Sequence, residues 1–146
     1  MRRQIVDAGF CRASLEENER GVSRIAFWES AGGSSKPAGL AARLKKYFDS
    51  DNVDFSAVKL DLGDATKFQR KVFAITRKIP YGETRTYGWI ARKLKTSPRA
   101  VGQALKKNPV PVIIPCHRVV SSEGVGGYSG GLDLKVKLLK LEGALE

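Results

Sequence analysis

Cys116 and His117 are the residues of this chain whose types and order most directly indicate chemistry. Cys116 is one of two cysteines, and His117 is the sole histidine among the 146 residues. A cysteine is a strong nucleophile as a thiolate, and an imidazole takes up a proton near neutral pH. Neighbours in an extended chain point to opposite sides, so the pair needs a turn or a bridging water to share a proton, and we expect the water. A buried structural cysteine beside a surface histidine is the alternative.

Apolar residues on both sides frame this pair. Ile113 and Ile114 precede it, and Val119 and Val120 follow it. Pro115 removes one backbone donor and restricts the residue before it to an extended conformation. The pattern predicts that the pair lies in a rigid and partly buried segment.

The composition limits the cellular compartment and the kinds of metal site. A structural zinc ion usually takes four Cys or His ligands, and the chain has three such residues, so we predict no structural zinc. No apolar run is long enough to span a bilayer, and the first residues lead into no secretory signal. We therefore expect a cytoplasmic protein without a membrane partner, in which the two cysteines do not form a disulfide.

The net charge of +11 is unevenly distributed. Residues 1–66 carry ten Lys/Arg and ten Asp/Glu, whereas residues 67–146 carry sixteen Lys/Arg and five acids. A basic half joined to a neutral half indicates that one part of the chain binds a polyanion, and nucleic acid is the favoured candidate. The alternative is a well-solvated, lysine-rich surface.

The first half of the chain reads as strands followed by one helix. The apolar runs Ile5–Phe10 and Val22–Trp28, with a polar turn at 18–21 between them, predict a hairpin. Leu40–Phe48 follows a helical pattern, and Val58–Leu62 is either a further strand or an extended linker.

The second half reads as helices. Thr66 and Gln69 have the spacing of a capping box that opens a helix, which stops at 80–82. A second helix is predicted from Thr86 or Tyr87 to Lys95, and a third over Pro98–Lys107, with Ser97 as its N-cap. The last two helices, joined by a brief turn, form a helix-turn-helix candidate within a strongly basic region. A packed helical hairpin without a ligand is the alternative.

The remainder of the chain contains an extended segment, a loop and a final helix. Residues 110–120 are predicted to be extended, and residues 124–131 form a glycine-rich loop that no Gly-Lys-Ser/Thr follows, so the loop does not fit a P-loop. Its glycines are expected to permit close backbone approach to a flat ligand. The final helix is predicted over Leu134–Leu141.

These pieces together resemble the O6-alkylguanine-DNA alkyltransferases, also called methylated-DNA–protein-cysteine methyltransferases. The resemblance covers about residues 66–143, and the first 60 residues match only loosely. The matching segments are Tyr81-Gly82-Glu83, Thr86-Tyr87, Arg99-Ala100-Val101-Gly102, Asn108-Pro109, Ile114-Pro115-Cys116-His117-Arg118-Val119, Gly127-Tyr128-Ser129-Gly130-Gly131 and Leu141-Glu142-Gly143.

The resemblance implies an α/β (α+β) fold in two domains. A small ribonuclease-H-like domain without that enzyme's activity is expected at residues 1–62. A mainly helical DNA-binding and alkyl-transfer domain, with a winged-helix-like helix-turn-helix, is expected at residues 63–146. Some members of the family carry zinc in the first domain, and this chain lacks the ligands.

The resemblance also implies the catalytic residues. Cys116 accepts the alkyl group, and His117 takes the thiol proton through a water. Glu142 orients His117 and balances its charge, as the acid of a triad does. Tyr87 donates a hydrogen bond or a proton to a ring nitrogen of the leaving base, and Asn108 braces the turn between the recognition helix and the cysteine segment.

A second group of residues is expected to hold the flipped base. Ser129 and nearby backbone amides, such as that of Gly130, bond guanine O6, and Tyr128 belongs to the same loop. The backbone carbonyls of Cys116 and Val119 receive the exocyclic amine.

A third group is expected to contact double-stranded DNA that contains O6-alkylguanine. Arg99 fills the space that the flipped base leaves. The small face formed by Ala100 and Gly102, with Gln103 beside it, lies in the minor groove, and Thr86 contributes from the preceding helix. In a prokaryote the protein would then be associated with the nucleoid.

The expected product is a thioether, which neither water nor His117 readily cleaves, so each molecule should react once. No cofactor is implied, and a monomer is the default expectation. Two other functions stay open: a cysteine hydrolase that uses Cys116 and His117, and a non-catalytic DNA-damage-binding or regulatory helix-turn-helix protein.

Overall fold

The computed structural model describes residues 2–9, 11–28, 38–124 and 132–145. Residue contacts divide the chain into two compact units, Met1–Gly63 and Asp64–Glu146. Within the described residues the architecture is mixed α/β, with five α-helices and two small sheets. Among these helices, none has both the length and the apolar character that crossing a bilayer requires.

The first unit contains an antiparallel sheet of three strands in the order β1-β2-β3. The strands are β1 (Arg2–Asp7), β2 (Arg12–Asn18) and β3 (Gly21–Trp28). The predicted hairpin between residues 5–10 and 22–28 is wrong in its pairing, because β2 lies between these strands and pairs with both. β2 buries only Ala13 and Leu15 as apolar residues, so its sequence lacks a clear apolar run.

The predicted polar turn does connect two strands, but they are β2 and β3. Asn18 accepts a hydrogen bond from the backbone N–H of Arg20 at 2.8 Å, and Gly21 follows with φ of 136°. A Cβ atom at Gly21 would lie 2.3 Å from the carbonyl oxygen of Lys59. Glycine is therefore required here, both for its backbone conformation and for the close approach of the 58–62 segment.

Helix α1 (Leu40–Phe48) has the predicted bounds and packs against β1. It buries Ala41, Leu44, Tyr47 and Phe48, and the ring of Tyr47 lies edge-on to that of Phe55, with centroids 6.1 Å apart. Of the two possibilities for residues 58–62, the structure shows an extended linker with a single bridge between Val22 and Leu60.

Three short helices begin the second unit, and each starts at a side-chain cap. In α2 (Lys67–Arg77) the backbone N–H of Gln69 donates to the hydroxyl of Thr66 at 3.1 Å, and the Gln69 side chain accepts from the N–H of Thr66 at 2.9 Å. This confirms the capping box. Helix α3 (Tyr87–Leu94) follows the two-residue strand β4 (Arg85–Thr86), and helix α4 (Pro98–Leu105) has Ser97 as its N-cap, as predicted.

Helices α2, α3 and α4 pack on one another around a shared apolar core. Their fully buried side chains include Val72, Ile90 and Val101, each with no exposed surface. Helix α4 ends two residues before the predicted Lys107, and Lys106 is its C-cap.

The segment after α4 differs from the predicted extended chain. Residues Cys116–Arg118 form one turn of 3-10 helix, which we call the Cys-His-Arg turn, and β5 (Val119–Val120) then pairs in parallel with β4. The turn closes because the N–H of Arg118 donates to the carbonyl of Pro115 at 2.9 Å. Helix α5 (Leu132–Leu141), which starts two residues before the predicted Leu134, packs on the Cys-His-Arg turn.

Candidate active site

The Cys-His-Arg turn places three reactive or charged side chains in the interior of the second unit. Cys116 is 5% exposed, His117 has no exposed surface, and Arg118 is 8% exposed. The sequence left open a turn or a bridging water for the Cys-His pair; the structure shows the turn, and the expected water stays a prediction. His117 is not a surface residue, which contradicts the alternative of a buried cysteine beside an exposed histidine.

Glu142, directly after α5, is the anion on which the site converges. Its Oε2 lies 2.6 Å from Nε2 of His117 and accepts from Nη2 of Arg118 at 3.0 Å. Its Oε1 accepts from Nε of Arg118 at 2.8 Å and from the backbone N–H of Gly82 at 3.1 Å. Two oxygens therefore receive four donors, and the side chain of Glu142 is fully buried.

The charge state of the pair follows from these contacts. Burial by itself would raise the pKa of Glu142, but the hydrogen bonds and charges of its two partners, first His117 and then Arg118, outweigh it and hold this pKa well below its usual range. Burial lowers the pKa of His117 below its usual 6.5, against the opposing effect of Glu142. The lowered pKa favours a neutral His117 near pH 7; such an imidazole donates from Nε2 to Glu142 and keeps Nδ1 as the nitrogen able to accept a proton.

Arg118 is a member of the site that the sequence reasoning missed. Besides its two contacts with Glu142, its Nη1 donates to the carbonyl of Ile79 at 2.7 Å, and its guanidinium lies 5.8 Å from the ring centroid of Tyr81. One signal was available in the sequence: Arg118 is the only Lys or Arg between Pro109 and Val120, in a segment that is otherwise mostly apolar.

Tyr87 and Lys135 form a second group beside the cysteine. Lys135 lies on α5 without exposed surface, and its Nζ is 3.3 Å from Oη of Tyr87 and 5.4 Å from the centroid of its ring. Burial lowers the pKa of Lys135 to about 8, while a negative charge on Cys116 opposes this. Burial, and secondarily the charge of Cys116, raises the pKa of Tyr87. The structure therefore brings the predicted Tyr87 close to Cys116.

Lys135 was also missed, although helical spacing could have found it. Lys135, Leu138, Leu139 and Glu142 are spaced as one face of a helix, and all four are buried. A lysine three residues before a buried leucine and seven before the predicted Glu142 is placed toward the core rather than toward solvent.

Asn108 lies between α4 and the Cys-His-Arg turn, where the prediction places a brace. Its Nδ2 donates to the carbonyl of Ile114 at 2.8 Å, and its Oδ1 accepts from the N–H of Val110 at 2.9 Å. The carbonyl of Ile114 also accepts from the N–H of Cys116 at 2.7 Å. Asn108 is thus connected to the backbone of the cysteine through a single residue.

The predicted DNA-contacting residues differ in their surroundings. Arg99 and Gln103 are exposed on α4, while Ala100 and Gly102 are partly buried. A Cβ atom at Gly102 would lie 3.9 Å from the ring of Tyr87. The hydroxyl of Thr86 accepts from the N–H of Trp89 at 3.0 Å, so Thr86 is the N-cap of α3.

The predicted base-binding residues are only partly within the described chain. Val119 is fully buried at the start of β5. Tyr128, Ser129 and Gly130 lie outside the described residues. Across residues 2–9, 11–28, 38–124 and 132–145, no three His, Cys, Asp or Glu side chains come together as a potential metal site.

Comparisons with known proteins show the family to which this chain is similar. Residues 67–144 match the family model for the DNA-binding domain of 6-O-methylguanine DNA methyltransferase. The methylated-DNA–protein-cysteine methyltransferase of Sulfolobus acidocaldarius is 44% identical over 134 residues, which cover 89% of this chain and 85% of that protein. The protein of the same name from Archaeoglobus fulgidus is 46% identical over 117 residues, covering 75% of this chain and 78% of that one.

Solved structures show the same architecture. The OGT protein of Mycobacterium tuberculosis in complex with DNA matches with a TM-score of 0.83 at 34% identity, covering 97% of this chain and 92% of that one. The O6-methylguanine-DNA methyltransferase of Pyrococcus kodakaraensis matches with a TM-score of 0.78 at 29% identity, covering 97% and 98%. These matches, together with a family model that spans over half of the residues, confirm the resemblance: the chain belongs to the methylated-DNA–protein-cysteine methyltransferase family.

Proposed function

We propose that this protein repairs DNA by transferring an alkyl group from O6 of guanine to Sγ of Cys116, once per molecule. One observation carries the assignment: a buried cysteine shares a helical turn with a histidine whose Nε2 lies 2.6 Å from a buried carboxylate, in a chain of this family. DNA repair by alkyl transfer to a cysteine uses each part of this arrangement.

The transfer is a displacement at a saturated carbon. The thiol proton passes to His117 through a water, and the thiolate attacks the alkyl carbon. The new S–C bond forms as the C–O6 bond breaks, and the electron pair returns to the guanine ring, which gains a proton at a ring nitrogen. Tyr87 donates toward that nitrogen, so guanine leaves as a neutral base. The thiol proton has then moved, in net terms, to guanine.

The substrate is double-stranded DNA that contains O6-alkylguanine. A stacked base is out of reach of a buried thiol, so the base must be flipped out of the duplex at a cost of a few kcal/mol. Arg99 on the exposed side of α4 takes the vacated place, and α4 lies in the minor groove, where little sequence information is available. Val119, Tyr128, Ser129 and Gly130 hold the flipped base.

The same proposal includes the type of each unit, the oligomeric state and the cellular compartment. The first unit is a ribonuclease-H-like domain, and the helix-turn-helix of the second unit is winged-helix-like. The protein works as a monomer in the compartment that holds the DNA, the cytoplasm or the nucleoid of a prokaryote, and needs no cofactor, because Cys116 is itself the acceptor.

The test is the intact mass of the protein after incubation with a duplex that carries O6-methylguanine. We expect a gain of one methyl group, located on Cys116 by peptide mapping, and no further turnover when more duplex is added. Cys11→Ala is the matched control, because it removes the other cysteine and should react normally.

Cys116→Ala separates the proposal from its rivals. This variant should bind the duplex and gain no methyl group. An unmodified parent protein that binds the lesion would instead indicate a non-catalytic damage-binding protein, and repeated hydrolysis of an ester or peptide would indicate a cysteine hydrolase.

A further inference from the structure

We propose that Arg118 is a positioning residue for the alkyl transfer, because its fork on Glu142 takes up the charge of that carboxylate and so keeps His117 a neutral proton acceptor. This inference rests on the proposed function and deepens it. Without Arg118, His117 would be the only charged or titratable side chain that the described contacts place on Glu142. A buried carboxylate that has no other counter-ion favours the imidazolium form of a neighbouring histidine. An imidazolium has no lone pair left for the thiol proton.

The fork has the geometry of a strong, charge-assisted pair. Nε of Arg118 donates to Oε1 of Glu142 at 2.8 Å, and Nη2 donates to Oε2 at 3.0 Å. The Glu142 side chain has no exposed surface and that of Arg118 is 10% exposed, so water screens the pair little. Oε2 is also the oxygen that meets His117, so Arg118 and His117 share the same acceptor atom.

Of the other charges around His117, Lys135 acts in the same direction as Arg118, and Glu142 acts against both. Glu142 favours the charged imidazole, while Arg118 and Lys135, on α5, both disfavour it, as does burial. Cys116 adjoins His117 in the turn and belongs with Tyr87 and Lys135 in one electrostatic group. In the described surroundings of the ring, the carboxylate of Glu142 is thus opposed by two cations, Arg118 and Lys135. Of these two, Arg118 is the one that contacts Glu142.

A merely structural role for Arg118 is the competing explanation. Its Nη1 bonds the carbonyl of Ile79, so Arg118 also ties the end of α2 to the Cys-His-Arg turn. Loss of that tie would reduce stability and would slow the transfer by the same factor at every pH. Loss of the charge, by contrast, would change the protonation of His117.

The only histidine in the chain makes the first measurement direct. Long-range ¹⁵N spectra of the single imidazole, recorded without DNA, report its tautomer and its titration. In the parent protein at pH 7 we expect a neutral ring protonated at Nε2. An imidazolium at that pH would overturn the proposal without any variant.

The second measurement uses Arg118→Met, with Arg24→Met as the matched control at an exposed position of β3. In Arg118→Met we expect His117 to titrate at higher pH than in the parent. The rate of methyl transfer should then fall about tenfold for each pH unit below the new pKa and approach the parent rate in alkaline solution. Arg24→Met should follow the parent at every pH.

Each outcome decides between the explanations. A folded Arg118→Met protein whose histidine titrates as in the parent would overturn the proposal, as would a rate reduced equally at all pH values. If this variant does not fold, Arg118→Lys, which keeps the charge and loses the fork, is tested instead. Its His117 should titrate at a pH that is raised by less than in Arg118→Met, and an unchanged titration would contradict the proposal. If neither folds, an imidazolium in the parent at pH 7 would still overturn the proposal.

Failure of the proposed function is distinguishable, because the spectra need no substrate. A parent with the expected ring states that transfers no methyl group would refute the repair function and leave the charge sharing intact.

Discussion

A lysine without exposed surface lies against the phenol that is proposed to protonate the leaving base. Burial costs the ammonium of Lys135 its hydration, and the ring of Tyr87 and a negative Cys116 offset part of that loss. The interaction is reciprocal, so a cation that a thiolate stabilises also stabilises the thiolate. The reactivity of Cys116 therefore depends on residues of α5 as well as on its own neighbour in the chain.

Lys135→Met should change how the stability of the protein depends on pH. The pKa of Lys135 is about 8 in the folded protein and 10.5 in an ordinary lysine, so the unfolded chain binds this proton more tightly. The contribution of Lys135 to stability therefore rises between pH 8 and 10.5, by up to about 3 kcal/mol. In urea unfolding, the free energy of unfolding of the parent should therefore rise relative to that of Lys135→Met as the pH increases across this window. Lys140→Met, at an exposed position of α5, should behave as the parent does, and parallel curves for parent and Lys135→Met would contradict the assignment.

The sequence predicted that Cys116, His117 and Glu142 belong to one site, but it did not predict the two buried cations beside them. Cys116 and His117 stand out by type, and Glu142 follows from the family motif. Arg118 and Lys135 are residue types that usually lie at the surface, and only the partners supplied by the fold explain their burial. Such partners come from distant positions, as when Arg118 meets a carbonyl 39 residues earlier in the chain.

Among the elements, α4 shows how much a short helix can be specified by its first residues. Ser97 caps it and Pro98 occupies its first position, as the sequence predicts. The strand β2 and the Cys-His-Arg turn were not predictable in the same way. β2 is held by hydrogen bonds to strands on both sides, and the turn is closed by backbone contacts of Pro115 and Ile114, none of which a local pattern reveals.

Gly102→Ala in α4 should stabilise the protein. The added methyl group would lie 3.9 Å from the ring of Tyr87, which is an ordinary contact, and alanine favours a helix over glycine by up to about 1 kcal/mol. Thermal unfolding should show a higher Tm. Gly21→Ala is the opposite control, because its methyl group would lie 2.3 Å from the Lys59 carbonyl oxygen and should destabilise strongly. A fall in Tm for Gly102→Ala would show that the α4–Tyr87 contact is tighter than described.

At the scale of the whole molecule, the excess positive charge belongs to residues 67–146. Arg118 and Lys135 are used inside this unit, whereas lysines and arginines such as Lys93, Arg99 and Lys106 are exposed. Affinity for DNA should therefore come mainly from phosphate contacts and weaken steeply with salt. The charge asymmetry is visible in the sequence, but which cations face inward is not.

Alkylation of Cys116 should lower the stability of the protein. The thiol is 5% exposed, and the backbone N–H of Cys116 and Nδ2 of Asn108 both bond the carbonyl of Ile114. Additional methyl groups in a packed interior typically cost about 1–3 kcal/mol. The Tm measured before and after complete reaction, with conversion checked by mass, should fall. Cys116→Ala carried through the same treatment should show no change, and an unchanged Tm in the fully alkylated parent would refute the expectation.

The position of Glu142 in the chain has a consequence for biosynthesis. The carboxylate that neutralises Arg118 lies 24 residues later in the sequence. A ribosome therefore produces the nucleophile, its base and a guanidinium destined for the interior well before it produces their counter-ion. Until Glu142 has left the exit tunnel, its contacts with His117 and Arg118 cannot form. A nascent chain therefore cannot transfer an alkyl group by the mechanism proposed for the complete protein.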